Sequence, residues 1–295
     1  MSKFRHTFSN HFEAWFMRSF SVIHWMLCLT LSSSLGLIGC ASQSAMNSST
    51  ETSDDAAAST IAINTDQFTS DATMLAHYTH NPIKLDGKLT EPIWQTATAY
   101  PLHAIRKRTV PDFELQEPAV IRLAWDETHF YVAGQFHDAD VIDNNKSDQR
   151  FLYSFGDTME LFLKPGTRKW YWEFYGTPNN YKTTLFYPSR GRFGLNPFPF
   201  QASSGLKVAS AVDGTINNLH DEDKGYVVEM AIPLKDLNLE GQGMFAKDVQ
   251  WSILVSRYNF SAKSETFQAE LSTTPKLKRV NFHLYETWAK LKLVK

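Results

Sequence analysis

TMELFLKPGTRKWYWEFY, residues 158–175, is the stretch that decides the fold. Met159, Leu161 and Leu163 alternate with Glu160 and Phe162; beyond Pro165-Gly166, Trp170, Trp172 and Phe174 alternate with Tyr171, Glu173 and Tyr175. A period of two is that of an extended strand with one apolar face, and Pro-Gly punctuates strands. The same pattern recurs on either side. Ile121, Leu123 and Trp125 form one apolar row, Phe130, Val132 and Phe136 a second, Tyr226, Val228, Met230 and Ile232 a third, and Trp251, Ile253 and Val255 a fourth. Asp126-Glu127, Pro178-Asn179-Asn180, Asp213-Gly214 and the Asp221–Gly225 cluster separate them. Helix is scarce: Glu91–Ala97 and Pro233–Leu237 each allow a turn or two, with Thr90 as N-cap of the first. Many short strands in one chain predict an all-β fold, an antiparallel β-sandwich.

Composition agrees with a packed domain. Of 295 residues, 43% are hydrophobic, with 8 Trp, 11 Tyr and 21 Phe, enough to bury a large core. With 29 basic against 31 acidic residues there is no basic excess for nucleic acid to attract. Two cysteines give no disulfide framework.

The first forty residues read as an address. Arg18 precedes an apolar run from Phe20 to Gly39, interrupted by His24 and Ser32-Ser33-Ser34, and no Lys or Arg follows until Lys84. That is the layout of a secretory signal. Its end, Leu37-Ile38-Gly39-Cys40, resembles the bacterial lipobox, in which the Cys is lipid-modified and becomes the first residue of the mature chain. Ala41 in the next place favours the outer membrane. Residues 1–39 are thus expected to be a lipoprotein signal peptide. Residues 40–74 are then the lipidated Cys40 and a Ser/Thr/Ala-rich flexible tether, and residues 75–295 the sandwich domain. The only cysteine left is the lipidated one, which excludes thiol chemistry and thiolate metal sites.

Glu160, Glu173 and Glu229 each lie mid-strand, opposite an apolar row. If their strands are neighbours, the three acids share one sheet face with Tyr171, Tyr175, Ser252 and Ser256, and Arg257 is placed to neutralise one of them. The face reads either as solvated or as a sugar-binding surface of carboxylates and rings. A glycosidase would need two carboxyls about 5–9.5 Å apart. Asp138, Asp140, Asp143, Asn144 and Asn145 cluster after a strand, as oxygen ligands for calcium or as a solvated turn. Nucleotide-binding glycine motifs, a serine-hydrolase elbow and His-Glu-x-x-His are absent from the sequence. Phe193, Phe198 and Phe200 in the Arg190–Phe200 loop either plug the end of the fold or face a ligand.

Taken in order, Ile83–Leu89 with Glu91 and Trp94, Trp125-Asp126, Phe130-Tyr131-Val132 with Asp138, Gly156–Phe162, Gly225–Glu229 with Ala231-Ile232-Pro233, and Phe282-His283 with Trp288 resemble the family 9 carbohydrate-binding modules and their DOMON-like relatives. The resemblance implies an immunoglobulin-like or jelly-roll sandwich that binds sugars, often with structural calcium, for which Asp138 and Asp140 are the candidate ligands. It also implies a sugar ring clamped between two aromatics. The first clamp place is Ser154, flanked by Tyr153 and Phe155; the second falls near Phe282. Glu160 matches the family's Glu, and Glu173 stands where an Arg is expected. The expected function is that of a lipid-anchored protein of the cell envelope holding a poly- or oligosaccharide without turnover. The rivals are a glycoside hydrolase using the mid-strand acids and a haem-binding DOMON-like protein.

Overall fold

A computed structural model describes residues 70–105, 115–190, 200–201, 204–238, 245, 249–262, 268–278 and 280–295. The signal, Cys40, the tether, and Phe193 and Phe198 of the aromatic loop lie outside the described residues. In chain order the elements are β1 (Thr73–Tyr78), α1 (Pro92–Thr96), β2 (Tyr100–Pro101), β3 (His103–Ala104), β4 (Ala119–Trp125), β5 (His129–Phe136), β6 (Thr158–Pro165), β7 (Tyr171–Gly176) and β8 (Lys182–Tyr187). They continue with β9 (Phe200–Gln201), β10 (Lys207–Asp213), β11 (Gly225–Pro233), α2 (Leu234–Leu237), β12 (Trp251–Asn259), β13 (Glu270–Thr274) and β14 (Ala289–Val294). Every alternating run of the sequence is a strand, and the fold is all-β.

The strands hydrogen-bond into one continuous sheet in the order β10-β11-β5-β4-β1-β14-β12-β6-β7-β8-β9. Each apolar row faces a common core, where Leu123, Val132 and Met230 from one half meet Leu161, Phe174 and Ile253 from the other. The halves close on each other tightly. A Cβ on Gly176 at the end of β7 would stand 2.9 Å from Met230 Cε and Val228 Cγ1 of β11. No larger residue fits there without displacing the opposite half.

Two expectations change. The pairing is not antiparallel throughout: β1 runs parallel to β14, with Thr73 opposite Lys290, and parallel to β4, with His77 opposite Ala124. Alternation fixes which face a residue takes, not the direction of its neighbour, so the sequence could not distinguish the two. Helix α1 is capped at Glu91 rather than Thr90, and without a side-chain cap bond. Pro92 takes the first helical position, and the Glu91 carboxylate instead accepts from the Lys84 backbone N–H at 3.1 Å.

The opposite faces of the strands are not solvated. On β6, β7 and β12 they lie under a second apolar cluster that includes Tyr175, Leu254, Leu277, Phe282 and Trp288. On β5 and β11 they lie under a third, built round Trp94 of α1.

Candidate functional site

Glu160 and Glu173 face the same way from adjacent strands. In the β6–β7 register Glu160 is opposite Tyr175 and Glu173 opposite Phe162, so the two acids are diagonal neighbours, with Cβ atoms up to about 7–8 Å apart. Both are sealed from solvent, at 2% and 1% exposure. Glu160 Oε2 accepts from the Ser256 hydroxyl at 2.8 Å, because Ser256 is its register partner on β12. Glu173 Oε2 accepts from the Tyr175 hydroxyl at 2.7 Å. Its Oε1 makes no hydrogen bond of ordinary geometry, with His283 Nδ1 standing 3.4 Å away.

Burial governs the charge of this cluster. It pushes the Glu160 carboxyl up to about 8, against the pull of the Ser256 hydrogen bond. Glu173 is raised well above the ordinary carboxylate range, first by burial and then by Glu160, while Tyr175 and Tyr187 hold it back. Burial also lowers His283 to about 4. Burial thus disfavours charge on both partners of the His283–Glu173 contact, whatever its distance suggests about an ion pair. The Tyr171 hydroxyl lies 2.6 Å from the same His283 Nδ1.

Rings enclose the acids. Tyr153 stacks on Tyr258 with centroids 4.9 Å apart and meets Tyr175 edge-on at 5.9 Å. Tyr258 in turn meets Phe282 edge-on at 6.0 Å, and Tyr171 stacks on Tyr187 at 4.7 Å. Tyr153, Tyr258 and His283 are only half-buried, so the cluster reaches the surface along that edge.

Of the residues expected at the site, the fold brings together Tyr153, Glu160, Glu173 and Phe282. It leaves out Phe155, which is 42% exposed under the Arg150 guanidinium, because the 3-10 turn Leu152–Ser154 ends there and points it outward. Tyr258, Tyr187 and His283 were not expected. Tyr258 had a signal in the sequence, lying two residues beyond Ser256 on the same face of β12; His283 had only its place in the Phe282-His283 resemblance.

Glu229 does not belong to this face. It sits on β11 in the other half of the sheet, where Oε1 accepts from Trp94 Nε1 at 3.1 Å and Oε2 from the N–H groups of Gly87 and Asp86 at 2.7 and 3.0 Å. It pins the 83–97 segment across the sheet. Gly87 is needed at that turn, with φ +73° and no room for a Cβ against Ala211 N. Arg257 is a second correction. One residue past Ser256, it faces the opposite side of β12, donating to Asp138 Oδ2 at 2.7 Å beside the stacked rings of Phe136 and Tyr226.

The acids after β5 are likewise used inside the protein. Asp138 pairs with Arg257 and accepts from the Asp140 N–H; Asp140 accepts from the Ser261 hydroxyl and the Ala262 N–H. Asp143 accepts from Asn145 and from the Asn179 N–H. Among the described residues no three His, Cys, Asp or Glu side chains gather to hold a metal ion. A separate cavity of about 930 Å³ is lined by residues that include Trp125, His129, Lys207 and Lys235, and shares none with the acid pair.

Residues 85–251 match the family model described as carbohydrate family 9 binding domain-like. Among solved structures, a candidate carbohydrate-binding protein from Bacteroides uniformis is similar in fold, with a TM-score of 0.58 and 15% identity, covering 76% of this chain and all of that one. A family 9 carbohydrate-binding module from Caldicellulosiruptor kristjanssonii, solved with cellotriose, aligns with a TM-score of 0.47 at 17% identity over 75% of this chain and 93% of its own. Its glucose complex gives 0.48 at 16%, over 75% and 95%. No curated protein sequence matches significantly.

Proposed function

This chain belongs to the carbohydrate family 9 binding domain-like family, and from that premise we propose that it is a lipid-anchored envelope protein that holds a poly- or oligosaccharide at the Glu160–Glu173 cluster without turning it over. The observation that carries the site is the buried acid pair on adjacent strands, walled by Tyr153, Tyr258 and Phe282. Such a surface suits a sugar, whose hydroxyls exchange hydrogen bonds with carboxyls while its C–H faces lie on rings. The two facing halves of the sheet support the sandwich description of the fold.

Hydrolysis is disfavoured by the same geometry. An acid–base pair works when its environments push the two pKa values apart, and here burial raises both. Anchoring at the outer membrane is supported by Leu37-Ile38-Gly39-Cys40 after the basic–apolar run, followed by Ala41. Cys40→Ser is expected to release the protein from the membrane fraction; retention there would refute the anchor.

The test is a glycan array on the full chain in detergent, with reducing sugar measured alongside. Binding without release is the expected outcome, and turnover abolished by Glu160→Gln would make the protein a hydrolase. Tyr153→Ala, at the half-buried edge, should weaken binding over tenfold, since truncating a stacking ring at a hot spot costs about 2 kcal/mol or more.

A further inference from the structure

Rings are covered almost everywhere in this chain. Among the described side chains, Phe151 and Phe155, at 40% and 42%, are the only Phe, Tyr or Trp left exposed. They stand at the two ends of one turn, Leu152–Ser154, closed by the Ser154 N–H on the Phe151 carbonyl and the Phe155 N–H on the Leu152 carbonyl. A 3-10 turn rises only about 2 Å per residue, so both ends lie close to Tyr153 in its middle. The Tyr153 ring is half-buried at the edge where the acid cluster reaches the surface, with its centroid 5.8 Å from that of Phe151.

Arg150 brings a charge to this turn. Its backbone is fixed by the Thr183 hydroxyl, which accepts from the Arg150 N–H at 3.1 Å and donates to the Arg150 carbonyl at 2.7 Å. Its guanidinium lies over the exposed Phe155 ring, 5.2 Å from the centroid. Stacking occupies one face of a guanidinium and leaves the N–H edges free to meet an anion. Asp148, two residues earlier, is taken up by the Lys182 ammonium at 2.6 Å and the Lys182 N–H at 3.0 Å.

Resting on the reading of the acid cluster as the sugar site, we infer that the saccharide extends over the Phe151–Phe155 turn and carries a carboxylate or sulfate there, held by Arg150 stacked on Phe155. Arg is the side chain that can stack on a ring and still present two parallel N–H bonds to such a group, which Lys cannot. A guanidinium already laid on a ring also has less rotamer freedom to lose on binding. Burial disfavours charge on Glu160 and Glu173 behind the edge, which limits their repulsion of an anion brought to it. A neutral chain would use the rings and leave the charge idle.

Calorimetry on the full chain in detergent at pH 7 tests this with four probes of equal length: an oligogalacturonate, its methyl ester, a sulfated cello-oligosaccharide and the plain cello-oligosaccharide. An anionic probe is expected to bind about tenfold tighter than its neutral counterpart, the worth of one charge-assisted pair. That margin should shrink as salt is raised. The pair of probes that shows it tells carboxylate from sulfate. Arg150→Gln is expected to erase the margin and Phe155→Ala to reduce it. Lys146→Gln, which takes the same charge from the exposed stretch before the turn, is expected to keep it. All three side chains are exposed, and thermal melts check that each variant is folded. Neutral probes that bind as tightly as the anionic ones overturn this inference and leave the sugar reading standing. Equal losses from Arg150→Gln and Lys146→Gln reduce the margin to general attraction and overturn it as well. Absence of binding by all four overturns the sugar reading and the inference together.

Discussion

Glu160 shows how one buried side chain couples stability to pH. Its carboxyl titrates at about 8 in the folded chain against an ordinary 4.5, so it contributes stability that is whole below 4.5 and is lost as the pH climbs through about 8. Glu173 is shifted the same way. His283, lowered from 6.5 to about 4, has the opposite sign: its contribution is present above 6.5 and is lost as the pH falls through about 4. Above pH 6.5 the histidine is neutral folded or unfolded, and the acids alone decide. At about 1.4 kcal/mol per unit, the Glu160 shift is worth on the order of 5 kcal/mol. Denaturant melts at pH 7 and 9 should therefore show the wild type losing stability toward pH 9, and Glu160→Gln losing markedly less. Parallel losses in the two proteins would mean that the carboxyl titrates in its ordinary range. Phe282 illustrates the complementary point. As part of the second apolar cluster it is a core residue as well as a wall of the site, so its truncation costs fold stability of about 3–5 kcal/mol. Tyr153 is the cleaner probe of binding.

Strap and sheet face meet at Glu229, where one carboxylate gathers three donors, Trp94 Nε1 and the N–H groups of Gly87 and Asp86. Glu229→Ala leaves those donors without their acceptor, each unsatisfied buried group costing about 1–3 kcal/mol. Thermal melts should fall accordingly while sugar affinity stays within twofold, since Glu229 lies in the other half of the sheet from the acid pair. A loss of affinity with an unchanged melt would return Glu229 to the binding face. In sequence this residue looked identical to Glu160 and Glu173, an acid alternating with an apolar row. The rows themselves were legible because period two reports facing directly, and all of them enter the core. What alternation could not report is what covers the other face. That depends on chain remote in sequence: the 277–288 segment over β6, β7 and β12, and α1 over β5 and β11. The acid face therefore read as open to solvent along its length, when the acids are covered and the cluster reaches the surface only at the edge formed by Tyr153, Tyr258 and His283. Tyr153, Glu160, Glu173 and Phe282 lie together in the fold, whereas Phe155 points away from them, because a single 3-10 turn sets which of two adjacent rings points inward.

Closure of the whole molecule depends on its two terminal strands. In the hydrogen-bonded path β1 and β14 stand between the β4-β5-β11-β10 half and the β12-β6-β7-β8-β9 half, so the earliest and latest described strands join the two. The register shows which of them matters more. β1 pairs with β14 over five positions, Thr73 to His77, but with β4 over only two, His77 and Tyr78. β14 also pairs with β12 through Leu291, Lys290 and Ala289, and it buries Ala289, Leu291 and Leu293 in the main core. Deleting residues 289–295 would thus remove the continuous ladder between the halves, leave most of β1 unpaired and open a face of the core. A frayed edge strand costs little, whereas a strand with a neighbour on either side and three apolar side chains in the core carries the cooperativity of the fold. The truncated chain should lose its cooperative thermal transition and expose apolar surface to a hydrophobic dye, while deletion of Lys295 alone, which stands exposed over Tyr78 and Trp125 and reaches Glu127, should lower the melt only slightly. If the chain without residues 289–295 still melts cooperatively near the wild-type temperature, then β1 must hold to β4 and β12 by contacts other than the β14 ladder, and the two halves close on the strength of their facing apolar rows alone.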